Sequence, residues 1–158
     1  MKQFSMARRA TLLLSVALLT ACASGVKLDD VDGKGGTDYS SQPWNDPKSP
    51  LFKRSVYFDF DSYTVKSEYQ ATLQAHANYL KANKDRKIKI EGNTDERGTT
   101  EYNLALGQRR SEAVRKSLSL LGVSDSQIEA VSFGKEKPKA QGSNEAAWQE
   151  NRRADIAY

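Results

Sequence analysis

Lys87-Ile88-Lys89-Ile90-Glu91-Gly92, the loop Asn93-Thr94-Asp95-Glu96-Arg97-Gly98-Thr99-Thr100 and the run Asn103–Leu121 (NLALGQRRSEAVRKSLSLL) together decide the fold. In the first stretch Ile88 and Ile90 alternate with Lys87, Lys89 and Glu91, the period of a strand with one apolar face. In the last stretch the period is helical. At 100° per residue Asn103, Leu106, Val114, Ser117, Leu118 and Leu121 share an inner stripe, with Gln108, Glu112, Lys116 and Ser119 outside. Gly122 stops that helix.

One residue breaks the pattern. Arg110 falls in the middle of the inner stripe, a turn after Leu106 and a turn before Val114. Arg109 and Arg115 lie to the sides, where they reach water. A charge that points inward has to be paired or has to open onto a site, because an unpaired buried charge costs several kcal/mol. The nearest acid-rich loop is Asn93–Gly98, at the carboxyl end of the second strand, where ligands of sheet-and-helix folds tend to sit. Asp95 and Arg110 are therefore candidates for one site. Two readings stand at this point: a ligand pocket, and an internal ion pair without a ligand.

The same periodicities extend outward. Val56, Phe58 and Phe60 alternate with Tyr57, Asp59 and Asp61, which predicts a first strand. Val65, Tyr69, Leu73, His76 and Leu80 recur at helical spacing. Glu129–Phe133 reads as a third strand, followed by a loop over Gly134–Ser143, a short helix around Asn144–Glu150 and a last strand near Arg153–Tyr158. The order is β-α-β-α-β-(short α)-β. It predicts an α+β two-layer sandwich, with helices packed on one mixed four-stranded sheet. Strand–helix–strand units favour parallel neighbours, while the final pair is free to run antiparallel.

Upstream of this domain the composition changes. Met1–Arg9 carries Lys2, Arg8 and Arg9 and no acid; Ala10–Ala21 is mostly apolar and too short to span a bilayer. Small residues then precede Cys22, the single cysteine. This is the order of a secretory signal over 1–21. Leu19-Thr20-Ala21-Cys22 resembles the lipobox of bacterial lipoproteins, which implies a mature chain that begins at a lipidated Cys22. Residues 22–53 hold Gly33, Gly35, Gly36, Pro43, Pro47 and Pro50 without a helical or strand period, and read as a tether. A tether of roughly 30 residues reaches up to ~100 Å when extended and averages ~30 Å as a coil. Trp44, Leu51 and Phe52 are its apolar exceptions, candidates to dock on the domain. The folded domain is expected over 54–158.

Charge excludes one class of partner. The chain has 24 basic and 20 acidic side chains; without Lys2, Arg8 and Arg9 the bases fall to 21. A near-neutral chain with interspersed signs has no electrostatic footprint for nucleic acid. One histidine and one cysteine leave no material for a metal or thiol site, so neither metal nor cofactor is expected. His76 reads as a core or rim histidine. Arg152 and Arg153 read as strand-edge ion pairs. Asp59 and Asp61 would suit the paired carboxylates of a muramidase, but being two apart on a strand they share one face.

Asn103-x-x-Leu106-Gly107-x-x-Arg110-Ser111-x-x-Val114-x-x-x-Leu118 resembles the signature of OmpA-like peptidoglycan-binding domains. Gly107 and Ser111 depart from that pattern by small-for-small changes, and Asn93 stands where many members have His. Val56–Asp61, Glu91–Thr99, Gly134–Pro138 and Asn151-Arg152-Arg153 extend the likeness over nearly the whole domain. Behind a lipobox, the set resembles the lipoproteins of this family that work with the Tol system.

The resemblance implies a non-enzymatic protein that binds peptidoglycan through the meso-diaminopimelate of its stem peptide. Asp95 would accept from the ligand's ammonium, and Arg110 would grip its carboxylate through two charge-assisted hydrogen bonds. Phe60, Asp61, Thr94, Arg97 and Leu106 would surround the pocket, and Asn103 would lock loop to helix. Acyl chains on Cys22 would hold the chain in the outer membrane with the domain facing the periplasm, and TolB with other Tol proteins would be its protein partners. A wall-cleaving enzyme and a purely structural module remain the alternatives.

Overall fold

A computed structural model describes residues 42–158. The expected signal (1–21), Cys22 and the tether as far as residue 41 lie outside the described residues. Four strands and three helices form the domain: β1 Ser55–Tyr57, α1 Gln70–Ala82, β2 Ile88–Asn93, α2 Thr100–Leu120, β3 Ile128–Gly134, α3 Glu145–Asn151 and β4 Arg153–Ala157. This is the expected order, and the expected two-layer arrangement on a mixed sheet.

The sheet order is β1-β4-β2-β3. β2 and β3 are parallel, as a strand–helix–strand unit demands, with α2 as the crossover. β4 then inserts between β1 and β2 and runs antiparallel to both, pairing Val56 with Ala154 and Ile90 with Ile156. The parallel pairing of β1 with β2 that a local reading favours is thereby replaced by a shared neighbour. The inward side chains Val56, Ile88, Ile90, Ala154 and Ile156 meet Leu73, Ala77 and Leu80 of α1 and Val114 and Leu118 of α2.

Helix α2 lies unusually close to β2. A Cβ on Gly92 would stand 1.9 Å from the Gly107 carbonyl oxygen, and one on Gly107 would stand 2.3 Å from Ser132 Oγ. Only two glycines facing each other allow this approach, which brings the start of α2 against the end of β2. Thr99 caps the helix by accepting from the Tyr102 amide.

Two features differ from the sequence expectation. The first strand ends at Tyr57: Phe58 is still fully buried, but Phe60 is 62% exposed rather than on the inner face. The chain turns over Asp59–Ser62, with Asp61 in the left-handed region at φ 53°, and the turn's carbonyls face inward toward α2. The second concerns the end of the tether. Trp44 and Leu51 are buried at 6% and 5% exposure, so packed chain starts upstream of Arg54; Phe52 stays exposed. Trp44 stacks on Tyr158, and Tyr79 meets both rings edge-on. His76 is wholly buried beneath them. It accepts from the Tyr158 hydroxyl at 2.6 Å through Nδ1 and donates from Nε2 to the Lys53 carbonyl at 2.9 Å.

Candidate binding site

At the carboxyl end of β2 a cavity of about 150 Å³ is lined by Phe60, Asp61, Thr94, Asp95, Arg97, Asn103, Leu106 and Arg110, and by Gly98 and Tyr102. The residues nominated from the sequence thus surround one cavity. A larger groove of about 480 Å³ runs along the outer face of α2 past Arg109 and Arg115. There Arg115 holds Glu112 at 2.7 Å and Asp125 at 3.3 Å, and Arg109 lies over the Tyr63 ring.

Arg110 is the largest fully buried side chain among the described residues. Backbone carbonyls hold its guanidinium: Nε donates to Ser62 at 2.8 Å, Nη1 to Asn93 at 2.9 Å and Nη2 to Asp59 at 3.2 Å. The Asp59–Ser62 turn is therefore half of the arginine's cradle, which is why the first strand stops where it does. Asn93 contributes its main chain, while its side chain donates back to the Glu91 carbonyl at 2.9 Å. Among the described residues no carboxylate lies within ion-pair distance of Arg110. Burial pushes its pKa down to about 10, against the pull of Asp95, so at neutral pH it remains a cation. A guanidinium has five N–H donors, and three carbonyls accept here. What is left is a buried positive fork at the wall of a cavity.

Asp95 takes different partners from the one the internal-pair reading offered. Its Oδ1 accepts from the Arg97 amide at 3.1 Å and from Arg97 Nε at 3.2 Å; its Oδ2 accepts from Arg97 Nη2 at 2.7 Å. From behind, Arg152 Nη1 approaches Oδ2 at 3.5 Å. Burial alone would raise the carboxyl's pKa, but the hydrogen bonds and charge of Arg97, with a hydrogen bond from Arg152, outweigh it and hold Asp95 below the usual carboxylate range. The carboxylate is thus ionised, and Arg110 beside it is unpaired.

The rim is aromatic. Arg97 lies between Phe60, at 4.3 Å from the ring centroid, and Trp148, at 4.0 Å. Trp148 also donates from its indole to Glu96 at 3.0 Å. Asn103 donates to the Arg97 carbonyl at 2.8 Å, joining the loop to the first turns of α2. The Tyr102 hydroxyl donates to Asp61. Tyr102 was legible as the residue one turn before Leu106 on the edge of the same stripe. Trp148 and Arg152 belong to α3 and its end, and no local pattern linked them to the loop. Arg152 corrects the strand-edge expectation: it caps the end of α3 and is 3% exposed. Only Arg153 sits on the strand, paired with Asp155 at 2.8 Å.

Among the described residues no helix is long and apolar enough to cross a membrane. A sequence model of the OmpA family matches residues 57–152. The peptidoglycan-associated lipoprotein of Pasteurella multocida is 48% identical over 91% of this chain and 92% of its own length. That of Haemophilus influenzae is 45% identical, again over 91% of this chain and 92% of its own length. The crystal structure of the peptidoglycan-associated lipoprotein from Burkholderia pseudomallei is 69% identical and superposes with a TM-score of 0.72, covering 74% of this chain and 99% of that one. The chain belongs to the OmpA family, among its peptidoglycan-associated lipoproteins.

Proposed function

We propose that this chain is an outer-membrane lipoprotein that binds peptidoglycan, and that its cavity takes the side-chain end of meso-diaminopimelate in the stem peptide. The observation that carries the reading is Arg110: a buried cation held by three carbonyls, with no carboxylate partner among the described residues, beside an ionised aspartate. That ligand end is a zwitterion with one ammonium and one carboxylate. The carboxylate supplies the missing anion to the fork of Arg110. The ammonium binds at Asp95, in a place that Arg97, the more exposed of the two arginines on that carboxylate, holds in the free protein.

The chain is a binding protein and not an enzyme. In this reading acyl chains on Cys22 hold it in the outer membrane, the domain faces the periplasm, and the residues between them span toward the wall. Several acyl chains, at ~0.8 kcal/mol per buried methylene, anchor more firmly than one. TolB and the other Tol proteins are its protein partners, and its cellular role is to keep the outer membrane attached to the wall during division.

Sedimentation of the full chain with purified wall sacculi tests the central claim. The wild-type protein should pellet with the sacculi. Asp95→Asn and Arg110→Gln, checked as folded by circular dichroism, should stay largely in the supernatant. Normal pelleting of both folded variants would remove this cavity from wall binding. Release of soluble muropeptides by the wild type would replace binding with hydrolysis.

A further inference from the structure

Arg152 has no role in the ligand reading, yet it is buried against the cavity's key carboxylate. Its Nε donates to the Phe58 carbonyl at 3.2 Å, and its Nη2 reaches Glu145 at 2.5 Å and Gln149 of α3. The remaining nitrogen, Nη1, faces Asp95 Oδ2 at 3.5 Å. The fork is thus fixed by the Phe58 carbonyl just after the first strand and by α3, the helix that Arg152 itself ends. The residue presents one donor to the back of the aspartate.

We infer that Arg152 is the positioning residue of the site: it fixes the inner oxygen of Asp95 from behind, so that the carboxylate keeps its place and charge when Arg97 yields its front to a ligand's ammonium. This rests on the reading of the cavity as a zwitterion site. The two arginines on Asp95 differ in the way the role requires. Arg97 is about a third exposed and stacks between two rings at the rim, whereas the Arg152 side chain is 4% exposed and cannot leave without unpacking α3. If Arg97 alone balanced Asp95, each binding event would exchange the only partner of a buried carboxylate. A second, immovable cation removes that problem. It also adds positive potential beside Arg110, where the ligand's carboxylate is received.

The charged groups around Asp95 come from every neighbouring element: Arg97 and the acid Glu96 from its own loop, Arg110 from α2, Arg152 from the end of α3 and, as further acids, Asp61 from the turn after β1 and Glu145 from α3. Of the cations, Arg152 alone is buried and within ion-pair distance of the carboxylate.

Two readouts test this on the full chain in detergent. The first is the carbon-13 titration of the Asp95 carboxyl in ligand-free protein. Arg152→Met and the gentler Arg152→Gln, which keeps a donor for the Phe58 carbonyl, should raise the midpoint by about one pH unit or more. Arg152→Lys keeps the charge and should restore most of it. The second is titration with a diaminopimelate-containing tetrapeptide. The neutral variants should bind about tenfold more weakly at neutral pH. Their acidic limb of binding should move upward together with the Asp95 midpoint. A folded neutral variant with an unmoved Asp95 midpoint overturns the inference. Failure of the wild type to bind the peptide, with the Asp95 midpoint still dependent on Arg152, would instead overturn the ligand reading and leave the positioning role standing.

Discussion

Gly92 and Gly107 meet backbone to backbone, with no room for a methyl group on either side of the contact. This contact sets the height of α2 above β2, and therefore the distance between the loop that carries Asp95 and the helix that carries Arg110. Gly92→Ala drives a Cβ into the Gly107 carbonyl, an overpacked contact that the main chain must relieve by moving apart. Stability should fall by about 1–3 kcal/mol, read as a lower urea midpoint at constant slope. Peptide binding should fall as well, because the shift separates the two halves of the cavity.

Trp44 extends the core past the point where periodicity begins. Its ring centroid lies 4.2 Å from that of Tyr158 with the planes 3° apart, and Arg86 covers it at 5.0 Å. Trp44→Ala should cost about 3 kcal/mol. For a domain of this size that lowers the thermal midpoint by more than about 10 °C. A fragment that starts at Arg54 loses the Lys53 carbonyl too and leaves the His76 Nε2 donor unpaired, so it should melt lower still. Equal melting of fragments beginning at 42 and at 54 would remove Trp44 from the core.

His76 makes the fold sensitive to mild acid. Burial pushes the imidazole's pKa below its usual 6.5, and the proximity of Arg54 adds to this against the pull of the Lys53 carbonyl. The neutral ring is the form the fold needs, because Nδ1 accepts from Tyr158. The unfolded chain takes up the proton first, so the contribution is complete above about pH 6.5 and is lost as pH falls toward the depressed folded value. Denaturation at a series of pH values from about 7.5 to about 5 should show this slope, and His76→Gln should flatten it. Asp95, also depressed, acts in a separate window below its ordinary 3.8: its stabilisation is present above that value and is lost as pH falls through the folded one.

Ligand chemistry gives the sharpest discrimination. Lysine lacks the distal carboxylate of diaminopimelate, so a lysine stem peptide would satisfy Asp95 and leave Arg110 without its anion. The forfeited charged hydrogen bonds amount to about 1.5–3 kcal/mol, or about tenfold to hundredfold in affinity. Amidating the carboxylate should weaken binding as well. Titration with matched diaminopimelate, amidated and lysine peptides measures the order directly; equal affinities would show that Arg110 does not read the carboxylate.

The elements and the inward arginine were legible in the chain because both are local properties. A period of two or of 3.6 reports which face of a segment is buried, and a charge in the middle of an apolar stripe stands out without knowledge of what covers it. Periodicity is silent on what each face is buried against. The insertion of β4 between β1 and β2 follows from hydrogen bonds between segments roughly sixty to a hundred residues apart, and only that insertion brings the end of α3, with Arg152 and Trp148, to the loop of Asp95. The same holds for Phe60 and Trp44. Phe60 fits the alternation of a strand, but the strand ends early because Arg110 draws the carbonyls of Asp59 and Ser62 inward. Trp44 lies in a segment without period, and it is ordered by the rings of Tyr79 and Tyr158, which the sheet and α1 place beneath it. The residue types of the site were written in the sequence; their partners were decided by long-range pairing, because a buried charge takes the nearest acceptors that the assembled fold presents.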